Sequence, residues 1–173
     1  MNLQSNDFEL FGLPVRFELD KAELSQAYLR LQSQTHPDRH ANGTAQEKRL
    51  AVQWATRINE AYRRLGNPLE RAVYWCELQG LDPRGQQSRL PAALLMQQME
   101  WREAAEDSHS VDALDALMSD VRAERRRQLA ALAVHIDQEP NPQNAMACTQ
   151  ALMFIDKFLL ELDRRLEQLE DAS

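Results

Sequence analysis

The side chains with the greatest capacity for chemistry stand together in the tripeptide His36-Pro37-Asp38. An imidazole donates or accepts a hydrogen bond near neutral pH, and a carboxylate accepts several. The proline between them fixes the backbone torsion φ and removes one amide donor. The tripeptide therefore offers two polar groups at a fixed spacing, an arrangement that suits polar contacts with another macromolecule.

A metal centre is the competing interpretation, because His36, Asp38 and His40 are all of ligand type. Zinc sites favour two ligands on one helical face with a distant third. His109 and His135 stand alone in the sequence, so no third ligand is evident. The chain also lacks a Gly-rich phosphate loop and a Gly-x-Ser-x-Gly nucleophile turn. We therefore expect no metal, no cofactor and no enzymatic activity.

Two helices must hold this tripeptide between them. Asp20-Lys-Ala-Glu23 and Thr44-Ala-Gln-Glu47 are capping boxes, and each predicts the start of a helix. Pro37 ends the first helix, and Gly66 is expected to end the second in a left-handed conformation. The apolar residues predicted to face inward on the second helix are Leu50, Trp54, Ile58, Ala61, Tyr62 and Leu65. The tripeptide is thus expected at the tip of a helical hairpin.

Glycines and prolines divide the chain into two predicted domains. Short helices are expected on either side of the hairpin, around residues 8–13 and 69–78. Helix-breaking residues then follow among polar ones, namely Gly80, Pro83, Gly85 and Pro91. The predicted boundaries are 1–80 for the first domain, 81–90 for a linker and 91–173 for the second domain.

The composition favours an all-α protein. The 173 residues include only 5 glycines and 7 prolines, too few for the frequent turns of a β-sandwich or β-barrel. The apolar runs are too short for a membrane span, and residues 1–4 lack the basic start of a secretory signal. Cys76 and Cys148 make no disulfide framework and indicate a reducing cytoplasm. Residues 81–173 hold 17 acidic and 10 basic side chains, so no nucleic-acid partner is expected.

Three helices are predicted beyond the linker. They begin at Pro91, Ser110 and Asn141-Pro142, which are residues typical of helix starts. On the last of them, leucines and isoleucines repeat at alternating spacings of three and four, which keeps one seam facing a partner helix. Short connections between neighbouring helices favour an antiparallel three-helix bundle.

The bundle carries more apolar side chains than its buried faces require. We predict that some form an exposed patch, rimmed by acidic residues, that docks another protein; methionine suits such a surface because its thioether repacks easily. The predicted patch consists of Leu95, Met96, Met99 and Phe154, with Glu100 and Glu103 at its rim. The alternative is that part of this surplus, such as Trp101 and Phe158, fills the space between the domains.

The hairpin resembles a J-domain, the module that stimulates ATP hydrolysis by DnaK-type chaperones. Besides the tripeptide, the likeness rests on Ile58-Asn59-Glu60-Ala61-Tyr62 and Arg71-Ala72-Val73-Tyr74. The residues that it implies for chaperone binding are His36, Pro37, Asp38, Lys21, Arg30 and Arg39. Uncharged residues occupy places where J-domains often carry basic ones, namely Ser25, Gln26 and Leu29. This departure favours a dedicated chaperone over a general one.

The whole chain resembles the HscB family, the J-proteins of iron–sulfur cluster biogenesis. The likeness includes Phe11-Gly-Leu-Pro14 and Leu95-Met96-Gln-Gln-Met99-Glu100. It implies a cytoplasmic co-chaperone with two protein partners: an HscA-like chaperone of the DnaK type, and an IscU-like iron–sulfur scaffold that binds the predicted patch.

Two other hypotheses stay open at the level of sequence. In the first, the chain is a J-domain co-chaperone for a different client, and its C-terminal bundle is an assembly or dimerisation element. In the second, the chain is a purely structural helical protein whose His-Pro-Asp tripeptide is fortuitous. Stimulation of a chaperone ATPase, with and without the scaffold protein, distinguishes the three.

Overall fold

The helices account for all regular secondary structure in the residues described by the computed structural model, which are 4–35, 43–85 and 90–171. The helices are α1 Asp7–Phe11, α2 Lys21–Thr35, α3 Ala45–Gly66, α4 Pro68–Leu78, α5 Ala92–Asp107, α6 Val111–Ala133 and α7 Pro142–Asp171, with a π-helical turn at Val134–Gln138. The chain divides into two compact units between Trp75 and Cys76, within α4.

The first unit is built on an antiparallel pair of helices. Ser25 on α2 lies 3.3 Å from Tyr62 on α3, and Tyr28 donates a hydrogen bond to Asn59 at 3.0 Å, so the two helices run in opposite directions. The rings of Tyr28 and Tyr62 stack with their centroids 4.2 Å apart. The main buried cluster of this unit comprises Phe8, Leu10, Phe11, Leu24, Ala27, Leu31, Ile58, Ala61, Leu65 and Tyr74.

A fully buried carboxylate fastens α1 to α3 and α4. Asp7 is 0% exposed and forms ion pairs with Arg57 at 2.6 Å and Arg64 at 3.1 Å. Its amide donates a hydrogen bond to the Tyr74 hydroxyl at 2.9 Å, and the Arg64 guanidinium lies 4.7 Å from the Tyr74 ring centroid. Burial is the main reason that the pKa of Tyr74 lies above its usual value. The two arginines compensate the desolvation of the carboxylate, so this cluster fixes the short first helix in place.

Local hydrogen bonds at the helix starts match the sequence predictions. The Thr44 hydroxyl accepts from the Glu47 amide at 3.2 Å, and the Glu47 carboxylate accepts from the Thr44 amide at 2.7 Å. Asp20 accepts from the amides two and three residues ahead. Both predicted helix starts are therefore confirmed.

The predicted left-handed ending at Gly66 is wrong. The left-handed glycines among the described residues are Gly12 and Gly80, with φ of 66° and 77°. Gly66 is the last residue of α3, and Asn67 leaves the helix in an extended conformation with φ of −98°. The Asn67 side chain then accepts from the Glu70 amide at 3.1 Å, so α4 begins at once and no left-handed turn is needed.

The second unit contains the bundle, in which α6 and α7 run antiparallel. Arg125 on α6 pairs with Asp156 at 2.6 Å, and Arg122 pairs with Asp163 at 3.7 Å. The basic run on α6 is thus partly engaged in ion pairs with α7. One buried cluster around these helices and α5 consists of Trp101, Ala105, Leu114, Leu117, Met118, Val121, Ile155, Phe158 and Leu162.

Candidate docking surfaces

The tripeptide expected to contact the chaperone follows directly after α2 in sequence. His36, Pro37, Asp38 and Arg39 lie outside the described residues, so their predicted role stays a prediction. The structure does describe the antiparallel helices on either side, α2 ending at Thr35 and α3 beginning at Ala45.

The two predicted basic contacts on α2 are both exposed but do not share a face. Lys21 and Arg30 are nine residues apart, which is about two and a half helical turns and therefore opposite sides of the helix. Arg30 lies beside the exposed and uncharged Gln26 and Leu29, and Leu29 is 62% exposed. The outer face of α2, defined by Gln26, Leu29 and Arg30, thus combines one guanidinium with an apolar side chain. Lys21 lies on the opposite side of the helix.

Three large apolar side chains project from the first turns of α5. Leu95 is 45% exposed, Met96 63% and Met99 69%. The rim residues Glu100 and Glu103 are exposed as well. At about 100° per residue, these five positions fall within an arc of about 140° on the helix. We call this surface the α5 patch. It presents apolar side chains to solvent with carboxylates along one side.

Phe154 differs from the prediction, because it is half-buried. Its ring stacks on Trp101 and Phe158, with centroids 6.2 Å and 5.3 Å away. The Arg102 guanidinium lies over the outer side of this cluster, 5.6 Å from the Phe154 centroid. Phe154 therefore belongs to an aromatic cluster between α5 and α7 rather than to a fully exposed patch.

Arg102 is the neighbouring residue that the sequence analysis missed. It is exposed and lies seven residues after Leu95, so the two side chains leave α5 in nearly the same direction. Arg102 thereby connects the α5 patch to Phe154 and gives the surface a basic side opposite its acidic rim. The i, i+4, i+7 spacing of Leu95, Met99 and Arg102 is the signal that could have identified it.

Neither a metal centre nor a membrane-spanning helix is present in the described part of the chain. Within residues 4–35, 43–85 and 90–171, no group of three His, Cys, Asp or Glu side chains is placed to hold a metal ion. No helix in those ranges has the length and apolar character to cross a bilayer. His36, Asp38 and His40, the residues of ligand type weighed in the sequence, lie outside these ranges.

Comparison with known proteins gives consistent matches along the chain. Residues 90–163 match the family described as the HSCB C-terminal oligomerisation domain. The co-chaperone protein HscB homolog of Burkholderia mallei is 45% identical over 98% of this chain and 99% of its own length. The homolog from Paraburkholderia xenovorans is 43% identical with the same coverage.

Solved structures agree in fold. The chaperone HscB from Vibrio cholerae has 38% identity and a TM-score of 0.78, covering 95% of this chain and 99% of its own. Human co-chaperone protein HscB has 22% identity and a TM-score of 0.86, covering 95% and 84%. These likenesses confirm the all-α fold, a J-domain followed by a C-terminal helical bundle. With such identity across nearly its whole length, the chain belongs to the HscB family, a family of co-chaperones rather than enzymes.

Proposed function

We propose that this co-chaperone serves iron–sulfur cluster assembly by joining two partners. The His36-Pro37-Asp38 tripeptide stimulates the ATPase of a dedicated, HscA-like chaperone of the DnaK type. The α5 patch and the adjoining Phe154 bind an IscU-like iron–sulfur scaffold and deliver it to that chaperone. The observation that carries the proposal is the exposure of Leu95, Met96 and Met99 on one arc of α5.

The exposed arc has the properties of a docking surface. Large apolar side chains on a soluble bundle are normally buried, so three of them side by side mark a place where another surface removes them from water. Glu100 and Glu103 on one side and Arg102 on the other suit a partner with charges of the opposite arrangement. The two methionines adapt to a partner whose shape varies.

The chaperone contact has a different physical character. The outer face of α2 carries Arg30 beside Leu29 and Gln26, so electrostatic steering is weak and apolar contact adds to it. A J-domain performs no chemistry itself. It favours the chaperone conformation that hydrolyses ATP, and it must therefore bind that conformation more tightly than the other.

A cytoplasmic location completes the proposal. Cys76 is buried and Cys148 is half-buried, and neither is in a disulfide. Unpaired thiols inside a small helical unit suit a reducing compartment.

ATP turnover tests the proposal. The purified chain is mixed with each DnaK-type chaperone of its own species, with and without the iron–sulfur scaffold protein. We expect strong stimulation of one dedicated chaperone, further enhanced by the scaffold, and loss of both effects in His36→Gln. The exposed His109→Gln is the matched control and should behave as the wild type. Stimulation that ignores the scaffold would contradict the scaffold assignment, and no stimulation of any chaperone would contradict the whole proposal.

A second candidate function is self-association of the bundle. The family description that matches residues 90–163 names an oligomerisation domain, and these residues include the α5 patch. In this hypothesis the same apolar arc pairs with a second copy of the chain. Sedimentation equilibrium of the chain alone tests it: a dimer that becomes a monomer in Leu95→Ala/Met99→Ala supports the hypothesis, and a monomer throughout contradicts it.

A further inference from the structure

A cavity of about 250 Å³, partly open to solvent, lies beneath the beginning of α5, on the side opposite the α5 patch. Leu94 and Gln97 face it from α5, Gln128 from α6, and Ala147, Cys148 and Ala151 from α7. Its walls are mainly apolar. Small side chains on α7 thus leave a gap between α5 and α7 that is partly open to solvent.

The beginning of α5 is held weakly over this cavity. Pro91 at its N-terminus provides no side-chain hydrogen bond to the first turn, and that turn contains no acidic residue. No residue of α5 before Trp101 is buried, whereas Trp101 and Ala105 are. The C-terminal half is fixed more firmly, because Arg165 on α7 donates hydrogen bonds to the carbonyls of Ala105 and Ser108.

The electrostatics of the cavity wall also favour movement of α5 rather than of the other two helices. Glu124, which contributes to the wall, is hydrogen-bonded by Gln128 and Arg127 on its own helix. Burial opposes ionisation of Glu124, but these hydrogen bonds outweigh it and hold the pKa of Glu124 below its usual value. The Glu124 carboxylate on the α6 side of the cavity therefore has its hydrogen-bond partners within α6. In addition, the Arg125–Asp156 ion pair joins α6 to α7.

We infer that the first two turns of α5 close onto the cavity when the scaffold docks on the α5 patch. This inference rests on the proposed function. The docking surface combines Leu95 and Met96, which lie in these two turns, with Phe154 of α7, so a partner that contacts all three fixes the distance between the beginning of α5 and α7. Closing also restores van der Waals contacts that the cavity lacks. Docking and packing then both favour the closed position of α5. The cavity provides the room in which α5 moves to fit the partner.

Cys148 provides a direct readout, because its thiol lines the cavity and not the α5 patch. Burial raises the pKa of the Cys148 thiol, so alkylation is slow at neutral pH and is measured at mildly alkaline pH. The fully buried Cys76 should react more slowly, and mass spectrometry of peptides separates the two sites. Saturating scaffold protein should slow alkylation of Cys148 by roughly fivefold or more, because closure of α5 covers the thiol and reaction then requires local opening. An unchanged rate at saturation would overturn the inference.

A variant that fills the cavity tests the same inference in the opposite direction. Ala147→Leu places a larger side chain in the empty space, which should raise the melting temperature of the bundle and prevent closure. Scaffold affinity should then fall by roughly tenfold, because the closed state that binds the scaffold becomes much less populated. The exposed Ala116→Leu on α6 is the matched control and should change neither quantity.

The outcomes separate the inference from the proposed function. Absence of any scaffold binding to the wild-type chain, measured by calorimetry, would overturn both. Normal binding with an unchanged Cys148 rate, or with undiminished affinity in a folded Ala147→Leu chain, would overturn closure alone. If Ala147→Leu does not fold, the alkylation rate of the wild-type chain decides.

Discussion

Truncation of two exposed side chains of the α5 patch should separate binding from stability. Complete burial of a leucine or methionine side chain contributes about 1.5–3 kcal/mol. Leu95 is already about half-buried in the free chain, at 45% exposure, and Met99 is 69% exposed. Docking can therefore add about 0.7–1.4 kcal/mol at Leu95 and about 1–2 kcal/mol at Met99. The variant Leu95→Ala/Met99→Ala should lose about 2–3 kcal/mol of binding free energy, or roughly 30- to 150-fold in Kd.

Isothermal titration calorimetry with the purified scaffold protein measures this loss, and thermal unfolding followed by circular dichroism measures stability. The melting temperature should change by only a few degrees, because both side chains are exposed. Leu160→Ala is the matched control: Leu160 is 59% exposed on α7 and lies on another side of that helix from Phe154. A change in Kd of less than about threefold, or a collapse in melting temperature, would refute the assignment of these residues to a docking surface.

Three further changes have outcomes that follow from the described contacts. Asp7→Asn should destabilise the first unit by about 3 kcal/mol, because it leaves Arg57 and Arg64 without their buried partner; urea unfolding measures this, and an unchanged midpoint would contradict it. Glu124→Gln should make bundle stability less sensitive to acid: the lowered pKa stabilises the folded bundle above the usual carboxyl pKa, and this contribution is lost as pH falls through the lowered one. Melting curves at neutral and acidic pH test that difference. Arg102→Gln should weaken scaffold binding by about 0.5–1 kcal/mol by releasing Phe154, as measured by calorimetry.

Helix starts could be predicted from the sequence because their determinants are local. The Thr44 and Glu47 hydrogen bonds and the Ser110 cap, whose hydroxyl accepts from the Ala113 amide at 3.2 Å, involve residues three apart in the chain. Helix ends and irregular turns were harder to predict from the sequence. Gly66 was expected to be left-handed, but the neighbouring Asn67 starts the next helix by itself, and the π-helical turn after Ala133 has no comparable signal.

Burial depends on distant neighbours, and this explains the other errors. Leu50 fits the inward stripe of α3 but is 45% exposed. Antiparallel pairing of Ser25 with Tyr62 places this part of α3 beyond Thr35, the last residue of α2. The Asp7 ion pairs span about fifty residues, a distance at which spacing rules carry no information.

Only part of the docking surface could be predicted, because the burial of its side chains also depends on residues distant in the sequence. The surplus of large apolar residues on α5 can be counted in the sequence, and Leu95, Met96 and Met99 are indeed exposed. The orientation of the Phe154 side chain cannot be predicted from spacing, because it depends on an aromatic residue of another helix, α5. The Phe154 ring stacks on Trp101, and the Arg102 guanidinium lies over the Phe154 ring.

Chaperone ATP turnover, measured with two variants in parallel, tests the central claim that separate surfaces serve the two partners. Leu95→Ala/Met99→Ala should keep the stimulation seen without scaffold and lose the additional stimulation that scaffold provides. His36→Gln should lose both and still bind scaffold with wild-type affinity. If the patch variant also loses scaffold-independent stimulation while remaining folded, or if His36→Gln retains it, the account of two separate surfaces is contradicted.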